Sequence, residues 1–199
     1  MLPVAGSQAL YSAMPVSRDD NDKKILKLLS NEATVRQGFT LLVRQYSALL
    51  YTKVRRIVVS HEDADDVLQN TFVKAWNNLA SFRGDSKLST WLFRIAVNEA
   101  LDFLRRQKTL PVADSEDLQG VARNLMADEY FDGNEAQALL QAAIAKLPAV
   151  QRTVFCMRYY DDMKYSEMSS LLGTSEGGLK ASYHLAVKKI VETIKQSNG

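Results

Sequence analysis

The sequence predicts an all-α protein made of two helical domains joined by a flexible acidic linker. Three observations carry this. Apolar residues recur at three- and four-residue spacings from about residue 22 to 107 and again from 135 to about 192, and no alternating strand pattern or internal repeat stands out. That periodicity lapses over residues 108–134, where Pro111, Gly120 and Gly133 fall, and residues 109–135 hold one basic and seven acidic side chains. Near the C-terminus, Lys164 to Ile190 reads as a short helix, a tight turn carrying Gly173 and a second helix opened by Thr174 or Ser175. That pattern is a helix-turn-helix, which places its second helix in the DNA major groove.

Taken in order, residues 1–21, with Pro3, Gly6 and Pro15, read as a flexible extension. The first domain spans 22–107. From about Asp22 to Val59 the pattern is helical, through Ile25, Leu28, Leu29, Phe39, Leu42, Val43, Tyr46, Leu49 and Leu50. A further helix starts after Ser60, whose hydroxyl can cap the amides near Asp63, and runs to about Leu79. Phe82 to Ser89 is a polar loop, and a long helix follows from Thr90 to about Gln107. Residues 108–134 form the linker, with room for one short helix. The second domain, 135–199, holds helices at Ala136–Lys146 and Ala149–Tyr159 and then the helix-turn-helix.

At 199 residues the chain is long enough to bury a real core, and its net charge of +2 hides an uneven distribution. Residues 36–108 carry a net +5 and residues 136–199 a net +3, so two basic blocks flank an acidic one with a net −6. Such a layout suits two nucleic-acid-facing modules on a charged tether. Cys156 is the single cysteine, which excludes a disulfide framework and a thiolate metal cluster; in Val154-Phe155-Cys156-Met157 it reads as a small buried hydrophobe. No run of 18 apolar residues exists and no signal peptide opens the chain, so the expectation is a cytoplasmic protein that does not insert into membrane.

Two further stretches carry chemistry. In Asp63-Ala-Asp-Asp-Val-Leu-Gln-Asn-Thr-Phe-Val-Lys-Ala-Trp76, helical spacing puts Val67, Leu68, Thr71, Phe72, Ala75 and Trp76 on one side. The other side carries acidic and amide groups, a face suited to a protein partner or, in the plainer reading, to solvent. The His61-Glu62-Asp63 start lacks a second histidine four residues on, so no metal site is expected. In Phe82 to Arg106, aromatics interleave with Arg83, Lys87 and Arg94; stacking and charge together could hold unstacked bases, although Trp91 and Phe93 at helical spacing also suit a core. On the last helix, Leu179, Tyr183, Ala186 and Ile190 form an inward stripe, leaving Gly177, Ala181, His184 and Lys188 opposite, with Lys180 and Leu185 on the flanks.

The pair of stretches from Asp63 to Trp76 and from Phe82 to Ala96 resembles sigma domain two. Leu147-Pro-Ala-Val-Gln-Arg-Thr-Val-Phe155 plus the helix-turn-helix is similar to sigma domain four. In this order, with a short linker between, the chain resembles an extracytoplasmic-function RNA polymerase sigma factor over about residues 22–107 and 136–192. The resemblance implies a subunit without catalysis or cofactor that binds RNA polymerase core through its clamp helices and flap region, and that recognises promoter DNA. It also admits an anti-sigma factor as partner. Asp63, Asp65, Asp66, Gln69 and Asn70 would meet core polymerase. Arg83, Ser86, Lys87, Trp91, Arg94, Asn98, Asp102, Arg105 and Arg106 would serve −10 recognition and melting. Ser175, Gly177, Gly178, Lys180, Ala181, His184 and Lys188 would face the −35 element. The acidic linker would run through polymerase where nascent RNA later passes.

The chain departs from its relatives at Ser182 and Leu185, where arginines are frequent, and at Asn70, where glutamate often follows the glutamine. Fewer guanidiniums mean fewer bidentate guanine contacts. Two other readings remain: a stand-alone helix-turn-helix regulator, which leaves the acidic helix and the Trp-bearing loop without a role, and a hydrolase or metal enzyme, which lacks a nucleophile–base pair and a complete ligand set.

Overall fold

A computed structural model describes residues 18–82, 84–107, 118–127 and 133–197. The described residues form nine α-helices: α1 (Arg18–Leu29), α2 (Val35–Val58), α3 (His61–Asn77), α4 (Leu88–Gln107), α5 (Leu118–Ala127), α6 (Glu135–Ala145), α7 (Ala149–Tyr159), α8 (Tyr165–Leu172) and α9 (Glu176–Ser197). A single 3₁₀ turn, Leu79–Ser81, follows α3. The chain divides into two compact units, Met1–Gln45 and Tyr46–Gly199.

In the first unit, α1 starts at Arg18, inside the stretch expected to be an extension. The continuous helix expected from 22 to 59 is interrupted at residues 30–34. There the Asn31 side chain accepts from the Ala33 amide (2.9 Å) and the Thr34 hydroxyl donates to the Leu28 carbonyl (2.8 Å). Short polar side chains that bond their own backbone compete with the helical ladder, and apolar periodicity does not register them. Gly38 then lies so close to α1 that a Cβ there would meet Leu28 Cβ at 2.9 Å. A glycine is what permits that approach.

In the second unit, α3 packs against α4, and Lys53 near the end of α2 lies over the Phe93 ring of α4 at 4.7 Å. Val54, Ala64, Ala75, Leu92, Ala96 and Ala100 are all fully buried, and the alanines let the helices approach closely. Glu99 is buried on α4 and its carboxylate accepts from Lys74 Nζ on α3, a charge that no apolar pattern announces. Ser60 Oγ accepts from the Asp63 amide, the cap expected from sequence. Between α2 and α3, Val59 has φ of 75°, a conformation disfavoured for a β-branched residue.

The stretch read as a linker contains α5, and α5 is a core element. Leu118, Ala122 and Leu125 join Ala138, Ala142, Ile144, Leu147, Phe155, Cys156, Ala186 and Ile190 in one apolar cluster. Residues 108–117 and 128–132 lie outside the described residues. Burial pushes the Cys156 thiol up to about 12, which makes it inert as a nucleophile at neutral pH.

The turn between α8 and α9 depends on Gly173, at φ 64°, whose amide donates to the Ser169 carbonyl. A Cβ there would touch nothing within 4 Å, so the demand is purely conformational. Gly173→Ala is therefore expected to lower unfolding stability by about 1 kcal/mol, the cost of a left-handed residue with a side chain. Urea titration followed by circular dichroism measures it; an unchanged midpoint would show that the turn tolerates another geometry.

Candidate nucleic-acid and partner interfaces

On α3 the structure separates the five expected partner-facing residues into two kinds. Asp65, Asp66, Gln69 and Asn70 are exposed. Asp63 is half-buried and accepts from Gln107 Nε2 of α4 at 3.2 Å. Burial raises the Asp63 carboxyl above its ordinary range, and the Gln107 hydrogen bond opposes that. Asp63 thus ties α3 to the end of α4, while Asp65 lies 3.5 Å from His61 Nε2 across one turn. The exposed face continues in apolar residues that sequence reasoning missed. Val73 is 58% exposed, and Trp76, expected to point inward, is 39% exposed. On a helix Asp66, Asn70, Val73 and Asn77 form one row, with Asp65, Gln69 and Trp76 beside it. The signal was available: Val73 interrupts the inward spacing set by Val67, Thr71 and Ala75.

Of the loop residues, Arg83 lies outside the described residues, and Ser86 and Lys87 are exposed. Gly84, at φ 79°, supplies the positive dihedral that reverses the chain. Trp91, in the first turn of α4, packs against Phe82 with ring centroids 5.0 Å apart. This pair fixes the base of the loop, so Trp91 acts on the loop from beneath. Farther along α4, Arg94, Asn98 and Arg105 are exposed at i, i+4 and i+11, which puts them on one stripe. Asp102 belongs to the same stripe and accepts from Arg105 Nη1 at 3.0 Å, orienting that guanidinium. Arg106 is exposed one position on.

In the helix-turn-helix, Leu179, Ala186 and Ile190 of α9 are buried as the periodicity predicts, and Tyr183 stacks on Phe155 at 5.7 Å. Gly177, Lys180, Ala181, His184 and Lys188 are exposed and share one face. Ser175 Oγ accepts from the Gly178 amide at 3.2 Å, capping α9. Gly178 is half-buried under that cap, where a Cβ would lie 3.3 Å from Ser175 Oγ. Ser175 and Gly178 thus also shape the start of the helix. Lys180 and Lys188 pair with Glu176 (4.0 Å) and Glu192 (3.9 Å) on their own helix. Both pairs are well exposed, and such pairs contribute about 0–1 kcal/mol, so a phosphate could replace either carboxylate cheaply. Leu185, 46% exposed, flanks the same face.

Comparison with known proteins bears on both surfaces. Residues 42–109 match the family described as sigma-70 region 2, and residues 137–190 match sigma-70 region 4. The ECF RNA polymerase sigma factor SigW of Bacillus subtilis is 31% identical over 156 residues, covering 74% of this chain and 83% of that protein. SigM of Mycobacterium tuberculosis is 33% identical over 154 residues, covering 77% and 76%, and the sigma-E factor of Salmonella typhimurium is 32% identical over 159 residues, covering 73% and 80%. Among solved structures, CnrH in complex with the cytosolic domain of CnrY aligns with a TM-score of 0.62 at 24% identity, over 89% of this chain and 99% of CnrH. The sigma factor RpoE from Bartonella quintana, in complex with the anti-sigma factor NepR, aligns at 0.59 with 22% identity, over 79% and 96%. These two likenesses establish a shared fold.

Proposed function

We propose residue-level roles on the premise that this chain belongs to the extracytoplasmic-function family of RNA polymerase sigma factors. It binds RNA polymerase core and directs promoter recognition and the start of transcription. The observation that carries the assignment is the co-occurrence, in one chain and in order, of the region 2 match at 42–109 and the region 4 match at 137–190. A stand-alone regulator would need only the second.

Within that reading, residues 22–107 hold the core-binding and −10 functions and residues 135–199 the −35 function. Asp65, Asp66, Gln69 and Asn70 form the polar part of the core-facing surface, with Val73 and Trp76 as its apolar continuation. Asp63 supports that face through Gln107. The loop with Arg83, Ser86 and Lys87, on its Phe82–Trp91 base, receives an extruded base, and Arg94, Asn98, Arg105 and Arg106 hold the adjoining DNA. Lys180 and Lys188 reach phosphates, Gly177 and Ala181 permit close approach, and His184 faces base edges. Leu185 offers apolar contact suited to a thymine methyl group. An anti-sigma partner is proposed as well. The names of the relatives denote regulatory subunits, and we propose that this chain likewise carries no catalysis of its own. No helix among the described residues is long and apolar enough to cross a membrane. The proposed place of action is the cytoplasm, alongside the polymerase.

The direct test is to reconstitute core polymerase with this protein and sequence the transcripts it starts. Initiation at a defined promoter set is the expected result, and initiation no different from core alone would refute the assignment. A finer test uses a randomised −35 library. Removing Lys180 or Lys188 is expected to weaken all sequences alike and to lower the salt slope by about one. His184→Ala is expected instead to change the preferred sequence, by about 1–3 kcal/mol at one base pair. Identical preferences for wild type and His184→Ala would retire His184 as a reader.

A further inference from the structure

The surfaces assigned above leave unused a cleft of about 400 Å³, within the size range of small-molecule sites. Its walls come from three helices. α2 supplies Tyr51, Arg55 and Arg56, α6 supplies Gln137, Leu140 and Gln141, and Tyr159 and Tyr160 close it from the end of α7. Among the described residues that line it, Leu140 is the one aliphatic side chain, and no carboxylate is present. A cation would meet two guanidiniums there. An apolar ligand would strip water from those charges without replacing its hydrogen bonds, so the lining selects an anion.

The polar side chains are already oriented. Arg56 lies over the Tyr160 ring at 4.2 Å, with its Nη1 3.9 Å from Asp161 Oδ1. A guanidinium carries five donor hydrogens, so one distant carboxylate leaves it able to bind a phosphate. Gln137 Oε1 accepts from the Asn134 amide (2.8 Å) and Gln141 Oε1 from the Tyr160 hydroxyl (3.2 Å). Each glutamine therefore has its NH₂ group as the remaining donor. Burial pushes the Tyr160 hydroxyl up to about 12, so it stays neutral beside an anion. The Tyr51 hydroxyl hydrogen-bonds His61 Nδ1, which fixes that ring. Tyr159 adds a different chemistry. Phe155 stacks on it at 5.1 Å, nearly parallel at 16°, yet Tyr159 remains 54% exposed. A supported, exposed aromatic ring is a platform on which any nucleobase can stack. Inorganic phosphate alone would leave that ring and most of the volume unused.

We propose that this cleft binds a free nucleoside phosphate, with its phosphates on Arg55 and Arg56 and its base stacked on Tyr159. The Gln137 and Gln141 amides donate to the acceptors of the sugar or base. Planar guanidiniums suit phosphate oxygens because they can donate two parallel hydrogen bonds. The site stands whether or not the chain binds polymerase.

The experiment is equilibrium dialysis of the full chain against radiolabelled ATP and GTP, free of DNA and polymerase. Saturable binding of one nucleotide per chain is expected for at least one of the two. The matching nucleoside and inorganic triphosphate, added as competitors, should each displace it far less well than the nucleotide itself. Arg55→Ala and Tyr159→Ala should each weaken binding about tenfold, the size of one lost stacking or charged contact. Tyr159→Phe, which keeps the ring, should bind like wild type, an outcome that separates stacking from damage to the fold. Lys195→Ala removes the same charge as Arg55→Ala from an exposed position on α9 and should leave binding unchanged. Absence of saturable binding at millimolar nucleotide would overturn the proposal. So would triphosphate competing as well as the nucleotide, since the cleft would then take an anion without a base. Affinity indifferent to both Arg55→Ala and Tyr159→Ala would place the nucleotide elsewhere. Displacement by a single-stranded RNA oligomer at far lower concentration than by ATP or GTP would assign the cleft to RNA instead.

Discussion

Asp66→Arg is expected to weaken assembly with core polymerase by at least about 2 kcal/mol, roughly 30-fold in Kd. The side chain is exposed on α3, in the same row as Asn70 and Val73. A cation there would oppose the basic partner surface that an acidic face implies. Because the residue is exposed, the substitution should leave helix content and thermal stability nearly unchanged, within about 0.5 kcal/mol. That separates it from any change at Asp63, whose hydrogen bond to Gln107 couples it to folding. A pull-down titration against core reads the effect, and unchanged retention would remove this face from the interface.

Replacing Arg83, Ser86 and Lys87 together with alanine is expected to slow open-complex formation on duplex promoters far more than it weakens the first encounter. Extruding a base from duplex costs a few kcal/mol, and a pocket that receives it recovers part of that. On a template already unpaired at the −10 region the cost is largely absent, so the variant should recover much of its activity there. The Phe82–Trp91 contact is left intact by this substitution, so the base of the loop persists. Equal impairment on duplex and pre-melted templates would place the action of the loop elsewhere.

The two surfaces differ in how far they could be read without coordinates. On α9 the inward stripe of Leu179, Ala186 and Ile190 is buried as its spacing requires, and the opposite face follows by geometry. A helix with a single strong apolar stripe leaves no freedom in which residues face out. The α3 face was legible in its acidic half but not in its apolar half. Trp76 fits the inward spacing, yet it lies in the last turn of α3, just ahead of the Leu79–Ser81 turn, and is 39% exposed. Helical period specifies direction from the helix axis; it does not specify how far a neighbour extends to cover the end.

By itself, the sequence determined the all-α class, the main helix positions, the Ser60 cap, the turn at Gly173 and the buried Cys156, because each depends on spacing or on one residue's own conformational preference, and its motifs resembled the family. Tertiary structure alone decided that α1 and α2 part at residues 30–34, that α5 belongs to a core, that Glu99 is buried against Lys74, and that Arg152 reaches the Ile57 carbonyl. The last two are polar contacts between residues 25 and 95 positions apart, and the interruption rests on side-chain bonds to backbone. Hydrophobic periodicity is blind to both, because it records which face avoids water and not which distant group a buried charge will find.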